Sequence, residues 1–297
     1  MPSIVAKDPR GNTINYHEFQ GKRFPPVPIQ IHDLDISLAN LPDIPCRDDD
    51  VTIVTYPKAG THWTWEIANM LLSNGTEVSK REKEESMIEV QPTEKINNLP
   101  SVRILNTHVT PDIFPKELVT KKAKIIYVTR NPKDIFVSYY YHVKKIKFYN
   151  YGGDWDSFFE HIMTGLVDFG DWFTFTKQWE TFFQEHQDIP LLRLNYEQLK
   201  QDMGTGVDKI AKFLGVSCNE TTRENIVQKC DFANMKQQKG VMSEHMKGMI
   251  EGDEHPMYRK GVIGDWKTHF TVAQSERFDE EYKKQMSGYS FDFEKYM

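Results

Sequence analysis

Short apolar segments rich in Val, Ile and Thr alternate with segments of helical periodicity along most of the chain. This pattern predicts strands at residues 51–56, 102–107, 124–129 and 191–195, and helices at residues 61–72, 135–145, 155–163 and 173–185, with further helices to about residue 228. Residues 80–89 read as an acidic, polar connection. Strands that alternate with helices predict an α/β fold with a central parallel β-sheet flanked by helices.

The chain is long enough to form one large core, since about 39% of its 297 residues are hydrophobic. We predict a single domain over residues 1–297, with residues 1–24 as an N-terminal extension. Residues 238–255 are rich in Gly, Met and charged side chains and show no regular period. That composition indicates a mobile loop over the functional site.

Charge and composition argue against several classes of protein. The net charge of −6 is unlike that of a general nucleic-acid-binding protein, which carries a positive excess. No apolar stretch approaches the roughly 20 residues that span a bilayer, and the N-terminal residues show no secretory signal, so we expect a cytoplasmic protein. Cys46, Cys218 and Cys230 are too few and too widely spaced for a disulfide framework or a zinc site.

Residues 51–63 form the most informative segment of the chain. A β-branched strand enters a tight Pro-Lys-Ala-Gly turn, and a helical pattern starts directly after Gly60. Such a helix directs backbone N–H groups at the turn, where Lys58 adds a positive charge and Thr61 a hydroxyl donor. This P-loop-like strand-turn-helix predicts a phosphate or sulfate site. The P-loop pattern G-x-x-x-x-G-K-[ST] of nucleotide triphosphatases is absent, because Lys58 precedes Gly60 by two residues. The remaining alternative is an ordinary strand-to-helix turn with a surface lysine.

Other chemically useful side chains follow the later predicted strands. His108 and Arg130 each come just after a strand, at the edge where parallel sheets bind their ligands. Arg130 suits a phosphate, and Ser138 on the next helix can donate to the same anion. The basic segment at residues 259–261 has the same character. Taken singly, each is equally compatible with an ordinary role as a core histidine, a salt-bridged arginine or a solvated charge pair.

Three separated segments together resemble the cytosolic sulfotransferase family. They are TYPKAGTHW at residues 55–63, YVTRNPKD at residues 127–134 with the helix through Ser138, and RKG at residues 259–261 with GDWK at residues 264–267. The likeness extends from about residue 25 to the C-terminus, and three motifs in this order are far more specific than one. The resemblance implies transfer of a sulfuryl group from 3′-phosphoadenosine-5′-phosphosulfate (PAPS), release of 3′-phosphoadenosine-5′-phosphate (PAP), and no metal.

The same resemblance implies roles for residues of this chain in binding the donor. The 5′-phosphosulfate would be held by Lys58, Ala59, Gly60, Thr61, His62 and Trp63. The 3′-phosphate would be held by Arg130, Ser138, Arg259, Lys260 and Gly261. The adenine would lie between Trp63 and Phe232, with Tyr196 at its edge and Met235 packed beside it.

For the chemistry, the resemblance implies His108 as the general base for in-line attack on sulfur and Lys58 as the group that stabilises the leaving phosphate. Three positions depart from the family pattern. Many members have Ser or Thr where this chain has Ala59 and His62, and a Lys where it has Asn106. Asn106 can donate a hydrogen bond to a sulfuryl oxygen but carries no charge, which predicts slower chemistry or a different sulfuryl contact.

The acceptor is expected to be a small, largely apolar phenol, alcohol, steroid or amine. Residues 24–32, 87–92, 142–149 and 239–255 should line a mostly apolar pocket for it. The candidate contacts are Asn106, His142, Tyr149 and Met249. Glu89 is interpreted as a solvated surface charge, in preference to a partner for a basic amine.

Residues 267–276 match the segment K-x-x-x-T-V-x-x-x-E through which many family members dimerise. The resemblance therefore implies a homodimer with Lys267, Thr271, Val272 and Glu276 at the contact. Two other functions stay open. A nucleotide kinase would need a triphosphate and magnesium, for which we find no motif. A catalytically silent PAPS-binding protein would bind the donor and transfer nothing.

Overall fold

The computed structural model describes residues 4–27, 33–75, 77–239, 248–252 and 258–297. The strands are β1 (Ile4–Lys7), β2 (Thr13–Phe19), β3 (Lys22–Phe24), β4 (Val51–Thr55), β5 (Ile104–Thr107), β6 (Lys124–Thr129) and β7 (Leu191–Asn195). The helices are α1 (Leu34–Asn40), α2 (Thr61–Leu72), α3 (Thr93–Asn97), α4 (Lys116–Thr120), α5 (Pro132–Lys145), α6 (Trp155–Met163), α7 (Trp172–Glu185), α8 (Tyr196–Gln201), α9 (Met203–Leu214), α10 (Glu220–Lys229), α11 (Phe232–Lys239) and α12 (Val272–Gln285).

Four parallel strands form the central sheet, in the order β5-β4-β6-β7. In β4, Val51 pairs with Ile104 of β5 on one side and with Lys124 of β6 on the other. Every residue of β4 and β5 is buried, as expected for strands covered on both faces. The predicted α/β fold with a central parallel sheet is confirmed.

Side chains of the sheet enter two cores, one on each face. Val51 and Ile53 of β4 pack in a core with residues of α2, α9 and α10. Val54 packs in the other core with residues of α5, α6, α7 and α12. Because successive side chains of a strand point to opposite faces, the continuous apolar run of β4 supplies both cores.

The observed ends of most elements lie close to the predicted ones. The helix at residues 61–72 and the strands at residues 124–129 and 191–195 have the predicted bounds. Helix α5 begins three residues earlier than predicted, because the Asn131 side chain accepts from the Lys133 N–H and Pro132 fits the first turn.

Residues 4–24, predicted as an extension, contain the antiparallel sheet β1-β2-β3. Its side chains Ile14, Tyr16 and Phe24 are buried in the same core as α5 and α7. The Tyr16 hydroxyl also lies 2.8 Å from Nε2 of His161 on α6. These strands were not predicted because they are short and carry charged residues in place of Val and Ile runs. Most of the predicted loop at residues 238–255, and residues 28–32, lie outside the described residues.

A buried ion pair joins the segment before β4 to the start of β5. Arg103 Nε donates to Asp50 Oδ1 at 2.6 Å, and Arg103 Nη2 donates to Asp50 Oδ2. The two side chains are only 1% and 0% exposed. Arg103 also donates to the carbonyl oxygens of Pro45 and Ile96. Both charges are therefore removed from water, and each depends on the other.

We expect the variant Asp50→Asn to lower the free energy of unfolding by about 3 to 5 kcal/mol, because it leaves the Arg103 charge buried and uncompensated. Urea unfolding followed by circular dichroism measures this change. The control is Asp43→Asn, since Asp43 and its partner Lys116 are 72% and 73% exposed. That variant should change stability by less than about 1 kcal/mol. Equal effects of the two substitutions would contradict a structural role for the buried pair.

Candidate active site

Strands β5, β4 and β6 end at the same edge of the sheet, and the residues that follow them meet there. Arg130 Nη1 donates to the carbonyl oxygen of Lys58 at 2.8 Å. The Nδ1 atom of His108 lies 2.8 Å from the carbonyl oxygen of Thr55. Three residues that the sequence places after three different strands therefore surround the turn between β4 and α2.

The turn itself has a backbone that requires glycine. Gly60 has φ +113°, and a Cβ atom there would lie 2.9 Å from the ring of Tyr196. Helix α2 begins at Thr61, so the N–H groups of its first turn have no partner within the helix and face the turn. The Thr61 hydroxyl lies 2.6 Å from the hydroxyl of Thr55. This is the geometry predicted for an anion site.

Lys58 is half-buried beside other cations. Burial, followed by the positive charges of Lys83 and Arg130, lowers the pKa of Lys58 to about 7. A bound anion would oppose both effects and raise the pKa again. The electrostatic surroundings of Lys58 therefore favour a negatively charged ligand.

The histidine is held in one tautomer. His108 is 7% exposed, and its Nδ1 faces the carbonyl oxygen of Thr55. A carbonyl oxygen only accepts hydrogen bonds, so Nδ1 carries the proton and Nε2 carries the lone pair. Burial, followed by the charge of Lys83, holds the pKa of His108 well below its usual value. The imidazole is therefore a neutral base at neutral pH.

Glu89 is fully buried, so its interpretation as a solvated surface charge was wrong. Its Oε1 accepts from the backbone N–H of His108 at 2.8 Å. Its Oε2 has no hydrogen-bond partner in the described part of the chain. Burial raises the pKa of Glu89 to about 7. The neighbouring Ile88 donates its N–H to the carbonyl oxygen of Asn106, which holds this segment against β5.

Asn106 is also fully buried, and it holds the 3₁₀ helix Lys83–Ser86 in place. Its amide nitrogen donates to the carbonyl oxygen of Lys83 at 2.9 Å and to the Ser86 hydroxyl at 3.0 Å. Both amide hydrogens are thus used within the protein, and the predicted donation to a sulfuryl oxygen would require breaking one of these bonds. The Asn106 Oδ1 accepts from the ammonium of Lys83 at 3.3 Å. Lys83 was not predicted as a site residue, since it lies in the acidic connection and belongs to no motif.

Two of the predicted phosphate-binding segments meet next to helix α5. The Asp134 carboxylate accepts from the backbone N–H groups of Gly264 and Trp266 at 2.7 and 2.9 Å. Arg259 lies 4.4 Å from the ring centroid of Tyr141, which follows Ser138 by one turn of α5. The late basic segment is therefore anchored to the helix that follows Arg130.

The cations of these segments have different partners. Arg259 and Lys260 both donate to the Asp265 carboxylate, Lys260 at 2.8 Å. The guanidinium of Arg130 lies 4.2 Å from the ring centroid of Tyr196. Within the described residues, the buried Nε of Arg130 has no hydrogen-bond acceptor. Arg130 therefore retains a donor for a ligand.

Half-exposed aromatic rings lie beside the start of α2. The ammonium of Lys200 is 5.7 Å from the ring centroid of Trp63 and 5.8 Å from that of Phe232. Tyr196 meets Trp63 edge to face at 5.5 Å, while Met235 is buried in the core below. A Cβ atom on Gly261 would lie 2.3 Å from the Phe232 ring. The four predicted adenine contacts are thus close neighbours.

The other side of His108 combines aromatic rings with polar groups. The ring of Phe169 lies 5.2 Å from that of His108. Tyr149 donates to Asp168 Oδ2 at 2.6 Å, and its ring lies 5.8 Å from that of His142. Among the described residues, neither Asp168 Oδ1 nor His142 Nδ1 has a hydrogen-bond partner, although both are buried. Burial raises the pKa of Asp168 to about 6.

Met249, a predicted acceptor contact, directly precedes Ile250, which pairs with Ile146 just after α5. In the described ranges, no group of three or more His, Cys, Asp or Glu residues is arranged to hold a metal ion. Nor is any described helix long and apolar enough to cross a membrane. The cytoplasmic location stays a prediction.

Comparison with known proteins identifies the family. The model of the sulfotransferase domain matches residues 48–290, which is most of the chain. The chain belongs to the sulfotransferase family. The resemblance noted from the three motifs is therefore confirmed, as is the prediction that the protein is an enzyme of this class.

Individual relatives agree with this assignment. Human sulfotransferase 1C2 is 35% identical over 95% of this chain and 96% of its own length. Mouse sulfotransferase 1B1 is 38% identical over 82% of this chain and 85% of its own. Among solved structures, the fold is similar to that of mouse sulfotransferase SULT7A1 complexed with PAP, with a TM-score of 0.75. The two sequences are 28% identical, and the match covers 93% of this chain and 96% of the mouse chain.

We expect Glu89→Gln to stabilise the protein above pH 7 and to have little effect at pH 5. The native pKa of Glu89 lies above the usual 4.5, so the folded state binds the extra proton and wild-type stability falls as the pH rises from about 5 to 7. Glutamine keeps an acceptor for the His108 N–H but cannot ionise. The gain at pH 8 should reach about 3 kcal/mol, measured by urea unfolding.

The control for this change is Glu94→Gln, at an exposed position of α3. It should leave the dependence of stability on pH unchanged. If Glu89→Gln shows the same pH profile as the wild type, the Glu89 carboxyl does not have a raised pKa.

Proposed function

We propose that this protein transfers the sulfuryl group of PAPS to a hydroxyl or amine of a small, largely apolar acceptor. The observation that carries the proposal is the meeting of Lys58, His108 and Arg130 at one buried edge of the sheet in a chain of the sulfotransferase family. The relative SULT7A1, solved in complex with PAP, supports PAP as the product here.

The residues at this edge fit the two anionic groups of the donor. The turn at residues 58–63 offers N–H groups and the Lys58 ammonium to the 5′-phosphosulfate. The 3′-phosphate is assigned to Arg130, Ser138 and residues 259–261, and the buried Nε of Arg130 supplies a donor that has no acceptor among the described residues. Trp63 and Phe232 provide the flat faces for adenine.

The transfer step follows from the tautomer of His108. Its Nε2 takes the proton of the acceptor hydroxyl as the acceptor oxygen forms a bond to sulfur. The bond from sulfur to the bridging oxygen breaks at the same time, and that oxygen leaves with the electron pair as part of PAP. Lys58 stabilises the negative charge on the leaving oxygen. The imidazole then returns its proton to solvent.

The acceptor is expected to carry polar groups besides the one that reacts. Around His108 the described residues leave three buried polar atoms without a hydrogen-bond partner, namely Glu89 Oε2, Asp168 Oδ1 and His142 Nδ1. An acceptor with a hydrogen-bond donor would satisfy the carboxyl oxygens, which otherwise cost free energy. Tyr149 and Phe169 supply the apolar surface. The proposal for the pocket thus combines aromatic walls with polar contacts.

We also propose a homodimer formed through residues 267–276. Val272 is 75% exposed, the largest exposed fraction among the described large apolar side chains. Lys267, Thr271 and Glu276 are exposed beside it, and Thr271 caps α12 in a capping box with Gln274. A self-complementary contact of these residues would cover Val272 and pair Lys267 with Glu276 of the second copy.

We expect His108→Ala to reduce acceptor-dependent release of PAP from PAPS by about 100- to 10,000-fold, because the variant lacks the general base. The measurement uses a panel of phenols, alcohols, steroids and amines, with PAP affinity determined in parallel. PAP affinity should stay within about twofold, since the imidazole contacts the acceptor and not the nucleotide. His186→Ala, which removes a histidine at the end of α7, is the control and should keep wild-type turnover.

Two results would contradict this proposal. Full turnover by His108→Ala would remove the histidine from the reaction. Tight binding of PAP by the wild type without transfer to any acceptor would favour a catalytically silent PAPS-binding protein.

For the dimer, we expect Val272→Glu to convert the protein to a monomer in sedimentation velocity experiments, because the contact would bury two unpaired carboxylates. The control is Val5→Glu, at a 63% exposed position of β1. An unchanged dimer in Val272→Glu would exclude this segment from the interface, and a monomeric wild type would contradict the proposal itself.

A further inference from the structure

We propose that Lys83 is a second catalytic lysine, whose ammonium donates a hydrogen bond to an oxygen of the sulfuryl group during transfer. This inference rests on the proposed function. Lys83 lies well before β5 in the chain and belongs to none of the three sequence motifs. Its assignment comes from its position in the folded chain.

The backbone of Lys83 is fixed from several directions. Its carbonyl oxygen accepts from the Asn106 amide at 2.9 Å. Ser86, in the same 3₁₀ helix, accepts from Asn106 and from Trp65 Nε1 of α2 at 2.8 Å. Glu82 and Glu85 form a capping box at the start of this helix. The lysine is therefore held against both β5 and α2.

The Lys83 ammonium is buried, and its ion pair with Glu84 is a long one. The Lys83 side chain is 5% exposed. The described residues offer its three N–H groups two acceptors within hydrogen-bond distance, Asn106 Oδ1 at 3.3 Å and Met87 Sδ at 3.7 Å, and both are neutral. Its ion pair with the Glu84 carboxylate is long, at 3.7 Å to Oε1, and the same oxygen lies 3.0 Å from His62 Nε2. A sulfuryl oxygen would give the ammonium a closer anionic acceptor.

The ammonium lies next to the reacting atoms of the proposed mechanism. Asn106 lies in β5, and His108 follows it by two positions. Side chains two positions apart on an extended chain point to the same face and are about 7 Å apart. Lys83 Nζ contacts Asn106. Among charged groups, Lys83 has the largest effect on the pKa of both His108 and Lys58, which requires proximity to both. In the proposed mechanism, the sulfuryl group lies between the side chains of His108 and Lys58 during transfer.

Lys83 is also linked to the first turn of α2. The Oε1 atom of Glu84 lies 3.7 Å from Lys83 Nζ and 3.0 Å from Nε2 of His62. His62 belongs to the first turn of α2, where the 5′-phosphosulfate is proposed to bind. The ammonium is therefore close to the proposed position of that group.

The chemical role of Lys83 is electrostatic. No bond forms or breaks at its nitrogen, and it keeps its proton. Its charge stabilises the negative charge on the sulfuryl oxygens as the bridging bond breaks. Asn106, which is neutral and uses both amide hydrogens within the protein, acts as a positioning residue for this ammonium.

The test compares the affinities of Lys83→Met for PAPS and for PAP by isothermal titration calorimetry. PAP lacks the sulfuryl group, so its dissociation constant should change less than about twofold, while that for PAPS should rise about tenfold. Acceptor-dependent turnover should fall about 100-fold. Lys83→Arg keeps the charge and should retain most of the PAPS affinity. Asn106→Lys in the Lys83→Met background should restore part of it, since that lysine reaches the same place.

The control is Lys80→Met, at an exposed position in the same connection, which should match the wild type in every assay. Thermal unfolding checks that the variants are folded, and Lys83→Gln provides a second neutral variant that keeps a polar group. Equal changes in PAPS and PAP affinity, or no change, would overturn the role of Lys83. A wild type that transfers nothing would contradict the proposed function instead, while the ratio of the two affinities still decides the role of Lys83.

Discussion

Positive charge crowded at one buried edge of the parallel sheet is the constraint on which the site depends. Lys58, Lys83 and Arg130 lie close enough that two of these charges lower the pKa of the third. Keeping such charges together without water costs free energy, and only part of it is offset by nearby carboxylates. The fold supplies the compensation elsewhere, in its two apolar cores. The proposed donor, with its two anionic groups, would offset the remaining charge.

Burial favours the neutral form of several ionisable groups around the cations. His108 is held as a neutral imidazole, and burial raises the pKa of both Glu89 and Asp168. Burial alone thus shifts the pKa values of acids and bases at the same edge in opposite directions, because each favours its neutral form. A neutral histidine beside fixed cations is able to accept a proton only when negative charge develops nearby. In the proposed mechanism, both the donor and the acceptor are therefore needed for His108 to act as the base.

Much of this site could be predicted from the sequence, because parallel strands bring the residues at their carboxyl ends to one edge. That single rule places Lys58, His108 and Arg130 together although up to 72 residues separate them. The helix after the turn was predictable because apolar residues recur with helical spacing directly after Gly60. The contact between Lys83 and Asn106 was not, because a 3₁₀ helix in an acidic connection has no period that shows which side faces inward. The burial of Glu89 was missed for the same reason.

The relation between Lys83 and Asn106 changes how the departures from the family pattern are interpreted. Asn106 replaces a lysine found in many members, and a neutral residue there suggested slow chemistry or a silent binding protein. In the folded chain the asparagine contacts an ammonium that another segment supplies, at 3.3 Å. A positive charge therefore lies beside position 106, although a different segment of the chain supplies it. Asn106 alone therefore does not imply lost activity, because electrostatic stabilisation depends on where a charge lies and not on which residue provides it.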